Sequence, residues 1–102
     1  GTFTMNKSDL LNYLCSEFKH LPHREVEKMF DKIIGTFSDS LANGNRIEIR
    51  NFGSFSVKAR DKRIARNPKT GEKISVDAKK SISFRASKEM KQLLNDELLN
   101  DE

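Results

Sequence analysis

The sequence predicts an α+β fold: an N-terminal helical hairpin, a three-stranded antiparallel sheet with a long protruding β-ribbon arm, and a short C-terminal helix. Up to Gly44, apolar residues recur at the three- and four-residue steps of a helix. Beyond Gly44 they alternate with polar residues, as in half-buried strands. Between two alternating segments lies a stretch too rich in Lys and Arg to pack on a core. A length of 102 residues allows one domain for these elements.

Two helices joined by a short turn account for the first part of the chain. Ser8 is the predicted cap of a first helix that runs to about Phe18. Pro22 suits the first turn of a second helix, and Gly44 ends it in the usual C-terminal position. The apolar positions expected to form the core of this hairpin are Leu10, Leu11, Leu14, Phe18, Val26, Met29, Phe30, Ile33, Ile34, Phe37 and Leu41.

The second part of the chain predicts an antiparallel sheet that is apolar on one face and basic on the other. Its alternating segments are 47–49, 55–59, 74–76 and 82–84. The turn of Asn51, Phe52 and Gly53 joins the first two segments.

The chain ends are expected to contribute little to the core. A short helix from about Ser87 to Asn95, with Met90, Leu93 and Leu94 pointing inward, closes a domain predicted to span 5–95. Leu98 and Leu99 could extend this helix. Residues 96–102 are predicted to form an acidic tail, and residues 1–4 a cloning remnant or a disordered extension.

The composition leaves room for only a small hydrophobic core. Hydrophobic residues make up 35% of the chain and charged residues 33%, against a usual charged share of ~25%. A chain this short and polar is a candidate for sharing its core with a second chain. Cys15 is the single cysteine, which excludes an internal disulfide framework and fits a reducing compartment. Because the sequence has neither a long apolar run nor a charged-then-apolar leader, we expect no membrane span, no secretory signal and a cytoplasmic location.

The positive charge is concentrated in the middle of the chain. Residues 46–88 carry thirteen Lys or Arg and four Asp or Glu, a net charge of +9, whereas residues 1–45 sum to −1 and residues 89–102 to −4. Such a local excess indicates a polyanionic partner. Nucleic acid is favoured over membrane lipid because no basic amphipathic helix is present.

The segment 58–73 holds seven of these cations and only three apolar residues. It lies between two predicted strands and contains turn residues from Asn67 to Gly71, so we expect a two-stranded ribbon with its tip at Pro68. Nine extended residues reach roughly 30 Å, more than the ~13 Å radius of gyration of such a domain. The arm, at about 58–80, should therefore project. Pro68 could simply form the turn, or it could wedge between stacked bases.

Four segments of the chain carry a resemblance to a known family: Met5–Leu10, Gly44–Arg50, Phe52–Phe55 and Arg66–Gly71. From Met5 to about Leu94 the chain resembles the HU/integration host factor family of bacterial DNA-bending proteins. Within that family, the run 46–56 is more similar to the beta-type subunit of integration host factor than to HU.

The resemblance implies an intertwined dimer, with either an alpha-type partner or a second copy, that binds the minor groove of double-stranded DNA and bends it. Pro68 is implied as the intercalating residue, and the strand with Glu48 as a reader of a flanking sequence element. The implied DNA-binding residues are Lys7, Arg46, Glu48, Arg50, Lys58, Arg60, Lys62, Arg63, Arg66, Asn67, Pro68, Lys69, Lys73, Lys79, Lys80, Arg85 and Lys88.

Four positions depart from the family pattern. Asn51 and Ala65 stand where glycine is usual, Ile82 replaces a proline, and Ser87 replaces a glycine. Ala65 bears on the path of the arm, since glycine allows a closer backbone approach.

Three functional alternatives follow. The first is a sequence-preferring beta-type subunit, the second an HU-like homodimer with little sequence preference, and the third a module that binds structured RNA. We expect no enzyme, because no nucleophile, base and orienting group assemble. No cofactor or small-molecule substrate is expected either, and two histidines, His20 and His23, make a weak metal site.

Overall fold

The structure, a computed structural model, describes the backbone of residues 2–100 and the side chains of residues 2–96. It confirms the predicted α+β class. By their internal contacts the described residues form two compact units, one up to Asp39 and one from Ser40 onward. The elements are α1 (Lys7–Glu17), α2 (His23–Ala42), β1 (Ile47–Ile49), β2 (Gly53–Arg60), β3 (Arg63–Arg66), β4 (Lys73–Val76), β5 (Lys79–Ala86) and α3 (Lys88–Asn100).

Helix α1 is capped by Asn6, so the prediction of Ser8 as its cap is wrong. The Asn6 side chain accepts a hydrogen bond from the Asp9 backbone N–H, and the Asp9 carboxylate accepts one from the Asn6 N–H, both at 3.0 Å. This reciprocal pair satisfies two backbone donors at once, which a cap at Ser8 could not do with Leu11 three residues on.

Helix α2 follows Pro22, whose carbonyl accepts hydrogen bonds from the N–H groups of Glu25 and Val26.

The predicted end of α2 is confirmed in detail. The N–H of Gly44 donates to Leu41 and that of Asn45 to Ser40, at 2.9 and 3.0 Å. These two bonds form the Schellman motif, which requires a residue with positive φ at the first position beyond the cap. Gly44 adopts that conformation, with φ of +82°.

The sheet has the strand order β1-β2-β5, and β3 pairs separately with β4; all pairs are antiparallel. In the register of the three-stranded sheet, Phe55 lies opposite both Ile47 and Phe84. The rings of Phe52, Phe55 and Phe84 form a cluster with centroids 4.8–6.3 Å apart. This face is the predicted apolar one, and its rings pack against one another although those of Phe52 and Phe84 remain partly exposed in the single chain.

The turn between β1 and β2 explains one departure from the family pattern. Asn51 has φ of +68°, the left-handed conformation in which glycine is favoured and asparagine is the best-tolerated alternative. Gly53 is needed for a different reason. A Cβ at Gly53 would lie 2.5 Å from the carbonyl oxygen of Arg85 and 2.7 Å from the ring of Phe84.

We predict that Gly53→Ala lowers the free energy of unfolding by about 1–3 kcal/mol, because the added methyl forces β2 and β5 apart. The matched control is Gly35→Ala in α2, where an added Cβ meets nothing within 4 Å. That substitution should be neutral or stabilising, since alanine favours helix over glycine. Urea unfolding at one fixed protein concentration measures both, and equal effects of the two substitutions would contradict the steric argument.

Helix α3 begins after Ser87, whose hydroxyl accepts a hydrogen bond from the Met90 N–H at 3.0 Å. The serine that replaces the family's glycine therefore caps the helix. The helix continues to Asn100, beyond the predicted end at Asn95. The predicted acidic tail thus begins within a helical segment, while the prediction for residues 101 and 102, like that for residue 1, lies outside the described residues.

Very little of the predicted core is buried in the single chain. Leu11 and Val26 are the apolar side chains that are buried among those described. Several positions expected to face inward are exposed instead: Leu10, Phe18, Met29, Ile33, Ile34, Leu93 and Leu94. The prediction of inward-facing side chains is wrong for these residues in the isolated chain, because its apolar stripes are wider than the surfaces that the chain offers to cover them.

Candidate nucleic-acid interface

The tip of the ribbon is a tight, internally bonded turn. The Asn67 N–H donates to the carbonyl of Glu72 at 2.8 Å, and the Gly71 N–H donates to the carbonyl of Asn67 at 2.7 Å. Gly71 has φ of +74°, which closes the turn. Pro68 is exposed within it and has no N–H that the turn would leave unpaired.

Two predicted DNA-binding side chains also hold the tip together. The side-chain oxygen of Asn67 accepts a hydrogen bond from the Lys69 N–H at 2.8 Å, and the Arg66 guanidinium donates to the Gly71 carbonyl at 3.3 Å. Asn67 is therefore half-buried and shapes the turn. Arg66, which is exposed, lies along the ribbon toward the tip.

The pairing of β3 with β4 sorts the ribbon side chains onto two faces. Ile64 lies opposite Ser75 and Arg66 opposite Lys73, so these four side chains share one face. The other face carries Arg63, Ala65, Ile74 and Val76. Ala65 takes a regular strand position opposite Ile74, so its replacement of glycine leaves the pairing of the ribbon intact.

The strands of the arm pair with each other, and the arm cations have no carboxylate partner in the described part of the chain. Among the described elements, β3 and β4 pair with each other and have no other extensive partner. The ion pairs of the described residues are Lys7–Asp31 and Arg46–Glu48, so no arm cation has a carboxylate within 4.0 Å there. The predicted projecting arm is thus confirmed as an exposed, uncompensated cationic ribbon.

The polar face of the three-stranded sheet also carries cations. Lys58 lies opposite Ser81 and Arg60 opposite Lys79, all on the polar face of β2 and β5. Lys80, by contrast, lies opposite Ala59 on the other face. The structure therefore separates Lys80 from the remaining sheet cations with which the sequence had grouped it.

Beside β1 the structure brings together residues that are far apart in sequence. One concave surface encloses a volume of about 470 Å³ and is lined by Arg46, Glu48, Arg50 and Arg85. The Arg46 guanidinium contacts the Glu48 carboxylate at 2.9 Å. Sequence reasoning missed the smaller polar residues that complete this surface, Asn51, Ser54 and Ser87. The strand register identifies Ser54 by placing it opposite Arg85, whereas Asn51 and Ser87 lie outside the strands and had no signal in the sequence.

Of the three remaining predicted residues, Lys62 is exposed between β2 and β3, and the other two lie on helices. In the first unit, the Lys7 ammonium contacts Asp31 at 2.8 Å, and this hydrogen bond raises the pKa of Lys7 above its ordinary value. In the second unit, Lys88 and Lys91 line one concavity of α3, and both are exposed. Sequence reasoning missed Lys91, although its spacing of three residues from Lys88 places both on one helix side.

An exposed cationic β-ribbon carried by a small antiparallel sheet defines a class of nucleic-acid-binding proteins in which strands enter a groove. Residues 5–95 match the family model described as bacterial DNA-binding protein, and the chain belongs to that family. The family is one of DNA-binding proteins rather than enzymes, which confirms both the resemblance and the expectation of no enzyme.

Curated relatives and solved structures agree with this membership. Integration host factor subunit beta from a Marinomonas species is 48% identical over 91 residues, which cover 89% of each chain. The same subunit from Histophilus somni is 46% identical, over 89% of this chain and 97% of its own length. A cocrystal structure of Anabaena HU with DNA is 27% identical, with a TM-score of 0.71 over 88% of this chain and 97% of that one. An HU mutant from Thermotoga maritima, 24% identical with a TM-score of 0.62, shares the fold over 88% of this chain and 99% of its own.

Two further observations concern a membrane span and the surroundings of His20, one of the two histidines of the weak metal site. In the described part of the chain, no helix is both long and apolar enough to cross a membrane. His20 makes an edge contact with the ring of Phe18, with centroids 6.3 Å apart, at the turn between α1 and α2.

Proposed function

We propose that the protein is an architectural DNA-binding protein that acts as a dimer, grips the minor groove with two arms and bends the duplex by inserting Pro68 of each arm between base pairs. The observation that carries the proposal is the exposed ribbon with uncompensated cations and a proline in its tip, in a member of a DNA-binding family. Binding to the chromosome would place the protein in the cytoplasm, associated with the nucleoid.

The dimer is supported by the scarcity of buried apolar side chains. In the part of the chain whose side chains are described, only Leu11 and Val26 are buried apolar side chains. So small a buried core cannot stabilise the fold, because folding must offset roughly 1–2 kcal/mol of backbone entropy per residue. The exposed apolar positions of α2 and α3 supply the missing area if a second chain covers them. That second subunit is either an alpha-type partner or a second copy.

The affinity is expected to come largely from charge. The polar sheet face and the ribbon face with Arg66 present cations that can each contact a phosphate and release condensed counterions. The concave surface beside β1 carries arginines together with one carboxylate, and such a mixed set can discriminate base edges as well as bind phosphate. Lys7 joins the interface only if DNA phosphates displace Asp31.

Pro68 has the chemistry of a wedge. It is apolar and rigid, it has no donor to desolvate, and the hydrogen bonds of Asn67 and Gly71 fix the turn around it. Unstacking a base step costs a few kcal/mol, which is offset when the bent duplex contacts more of the protein.

The beta-type subunit is favoured over an HU-like homodimer. The relatives at 42–48% identity are named integration host factor subunit beta, and the HU structures are only 24–27% identical. Competition with random duplex DNA, with and without an alpha-type chain, separates the two. Sequence preference that needs the partner supports the beta-type subunit, and weak preference by the protein alone supports the homodimer.

The proposal is tested most directly by native mass measurement of the free protein and of its complex with a duplex. A mass of two subunits, free and on one duplex, is expected. Duplex RNA of equal length is the comparison, because its A-form minor groove is wide and shallow and does not enclose a ribbon as the minor groove of DNA can. A single subunit on DNA, or tighter binding to the RNA, would overturn the proposal.

We predict that Arg66→Gln weakens DNA binding and flattens its salt dependence. The slope of log affinity against log salt should decrease in magnitude by about 0.9 for each arm that carries the substitution. Arg24→Gln, an exposed arginine of α2 outside the proposed interface, is the matched control and should leave the slope unchanged. Fluorescence anisotropy across a potassium chloride series measures both, and identical slopes for both variants would remove Arg66 from the interface.

A further inference from the structure

We propose that Ile64 makes an apolar contact with the sugar walls of the DNA minor groove and so adds a salt-independent part to the affinity of the arm. The inference rests on the proposed function and extends it, because none of the residues implied by the family resemblance is an aliphatic side chain on a ribbon strand.

The exposure of Ile64 is the first observation. Its side chain lies in the regular part of β3 and is 74% exposed, more than that of any other aliphatic residue of the sheet or ribbon that is described. Directly opposite lies Ser75, so no apolar cross-strand neighbour covers it. An aliphatic side chain held in open solvent on a strand gains free energy when a ligand buries it.

The charged side chains near Ile64 indicate what kind of ligand would bury it. Ile64 shares its ribbon face with Arg66 and Lys73, which lie opposite each other and have no carboxylate partner among the described residues. The opposite face carries one cation, Arg63, among three apolar side chains. A polyanion therefore approaches the Ile64 face more favourably than the opposite one.

The geometry of a groove fits this mixed face. In the minor groove, phosphates line the rims, whereas the walls are formed by the C–H groups of deoxyribose. A strand that directs cations to the rims can place an aliphatic side chain between them against the walls. Ile64 lies two residues before Arg66 on the same face and four residues before Pro68. Its contact would therefore lie further from the ribbon tip than the proposed wedge.

The test compares Ile64→Thr with Ile74→Thr in the full chain, together with its partner subunit where one is required. Both substitutions keep a β-branched side chain on the ribbon, and Ile74 lies on the opposite face at 46% exposure. We expect Ile64→Thr to weaken duplex binding roughly 4- to 15-fold at every salt concentration, the loss for one or two methylene-sized groups. The salt slope should not change, and Ile64→Val should restore most of the affinity. Ile74→Thr should bind as the wild type does.

Calorimetry of the same complexes adds an independent measurement. Burial of apolar surface makes the heat capacity change of binding negative, so Ile64→Thr should make it less negative than in the wild type. Unchanged affinity of Ile64→Thr, or equal losses in both threonine variants, would overturn the inference while the binding of the wild type still supports the proposed function. Failure of the wild type to bind duplex DNA would instead overturn the proposed function itself.

Discussion

Replacing Pro68 with alanine is expected to straighten the bound duplex by about several tens of degrees while the protein keeps most of its affinity. Wedges of this kind kink a duplex by roughly 20–90°. Alanine retains a small apolar side chain but loses the rigid ring that would hold two base pairs apart. The cations of the ribbon and the sheet remain in place, so the charge-dependent part of the affinity should persist.

Energy transfer between dyes at the two ends of a duplex measures this bend directly. Thr70→Ala is the matched control, because Thr70 lies in the same exposed turn. Its loss removes one hydrogen bond, which the Glu72 N–H donates to the Thr70 hydroxyl at 3.3 Å, but it keeps the charge and the proposed wedge. The expected result is wild-type transfer for Thr70→Ala and lower transfer for Pro68→Ala at saturating protein. If Pro68→Ala and the wild type brought the duplex ends equally close, Pro68 would be only a turn former.

The arm was the most predictable part of the molecule, because its prediction depends on what the segment lacks. The segment 58–73 has seven Lys or Arg and only three apolar residues, too few to pack on a core, and the turn residues from Asn67 to Gly71 fix where it reverses. The structure confirms both the pairing of β3 with β4 and the tip. Strong local signals of this kind do not need tertiary information.

Features that depend on the pairing register of the strands could not be predicted from the sequence as the arm could. Alternation assigns a side chain to one of two faces, but a shift by one residue exchanges the faces. Lys79 and Lys80 are adjacent cations in the sequence, and only the pairing of β2 with β5 shows that Lys79 joins Arg60 whereas Lys80 does not. The approach of Arg85 to the residues of β1 depends in the same way on the three-stranded register.

The prediction of the wrong cap for α1 arose because two nearby residues can both cap a helix. Ser8 and Asn6 are both good caps by residue type, and the sequence pattern around the apolar positions allows either. The difference lies three residues further on, where Asp9 can return a hydrogen bond to Asn6. A search for reciprocal pairs, rather than for single capping residues, would have identified Asn6.

Helix α2 gives the second large prediction, because its apolar stripe is more exposed than a stable single chain allows. Ile33 is 56% exposed in the isolated chain. If the protein functioned as a monomer, Ile33→Asp would be an ordinary surface substitution and would change the free energy of unfolding by no more than about 0.5 kcal/mol. If a second subunit covers α2, the same change buries an unpaired carboxylate, which costs several kcal/mol and should abolish the assembly.

We expect the second outcome. Sedimentation of the protein, with its partner subunit where one is required, should show a shift from two chains to one for Ile33→Asp, and circular dichroism should show partial or complete unfolding. Gly35→Asp is the matched control, because it adds the same charge to the same helix at an exposed position on the side opposite Ile33, where an added Cβ meets nothing within 4 Å. That variant should remain dimeric and folded. If Ile33→Asp kept the mass and the urea midpoint of Gly35→Asp, no second chain would cover this face. The two-armed grip on DNA would then lose its physical basis.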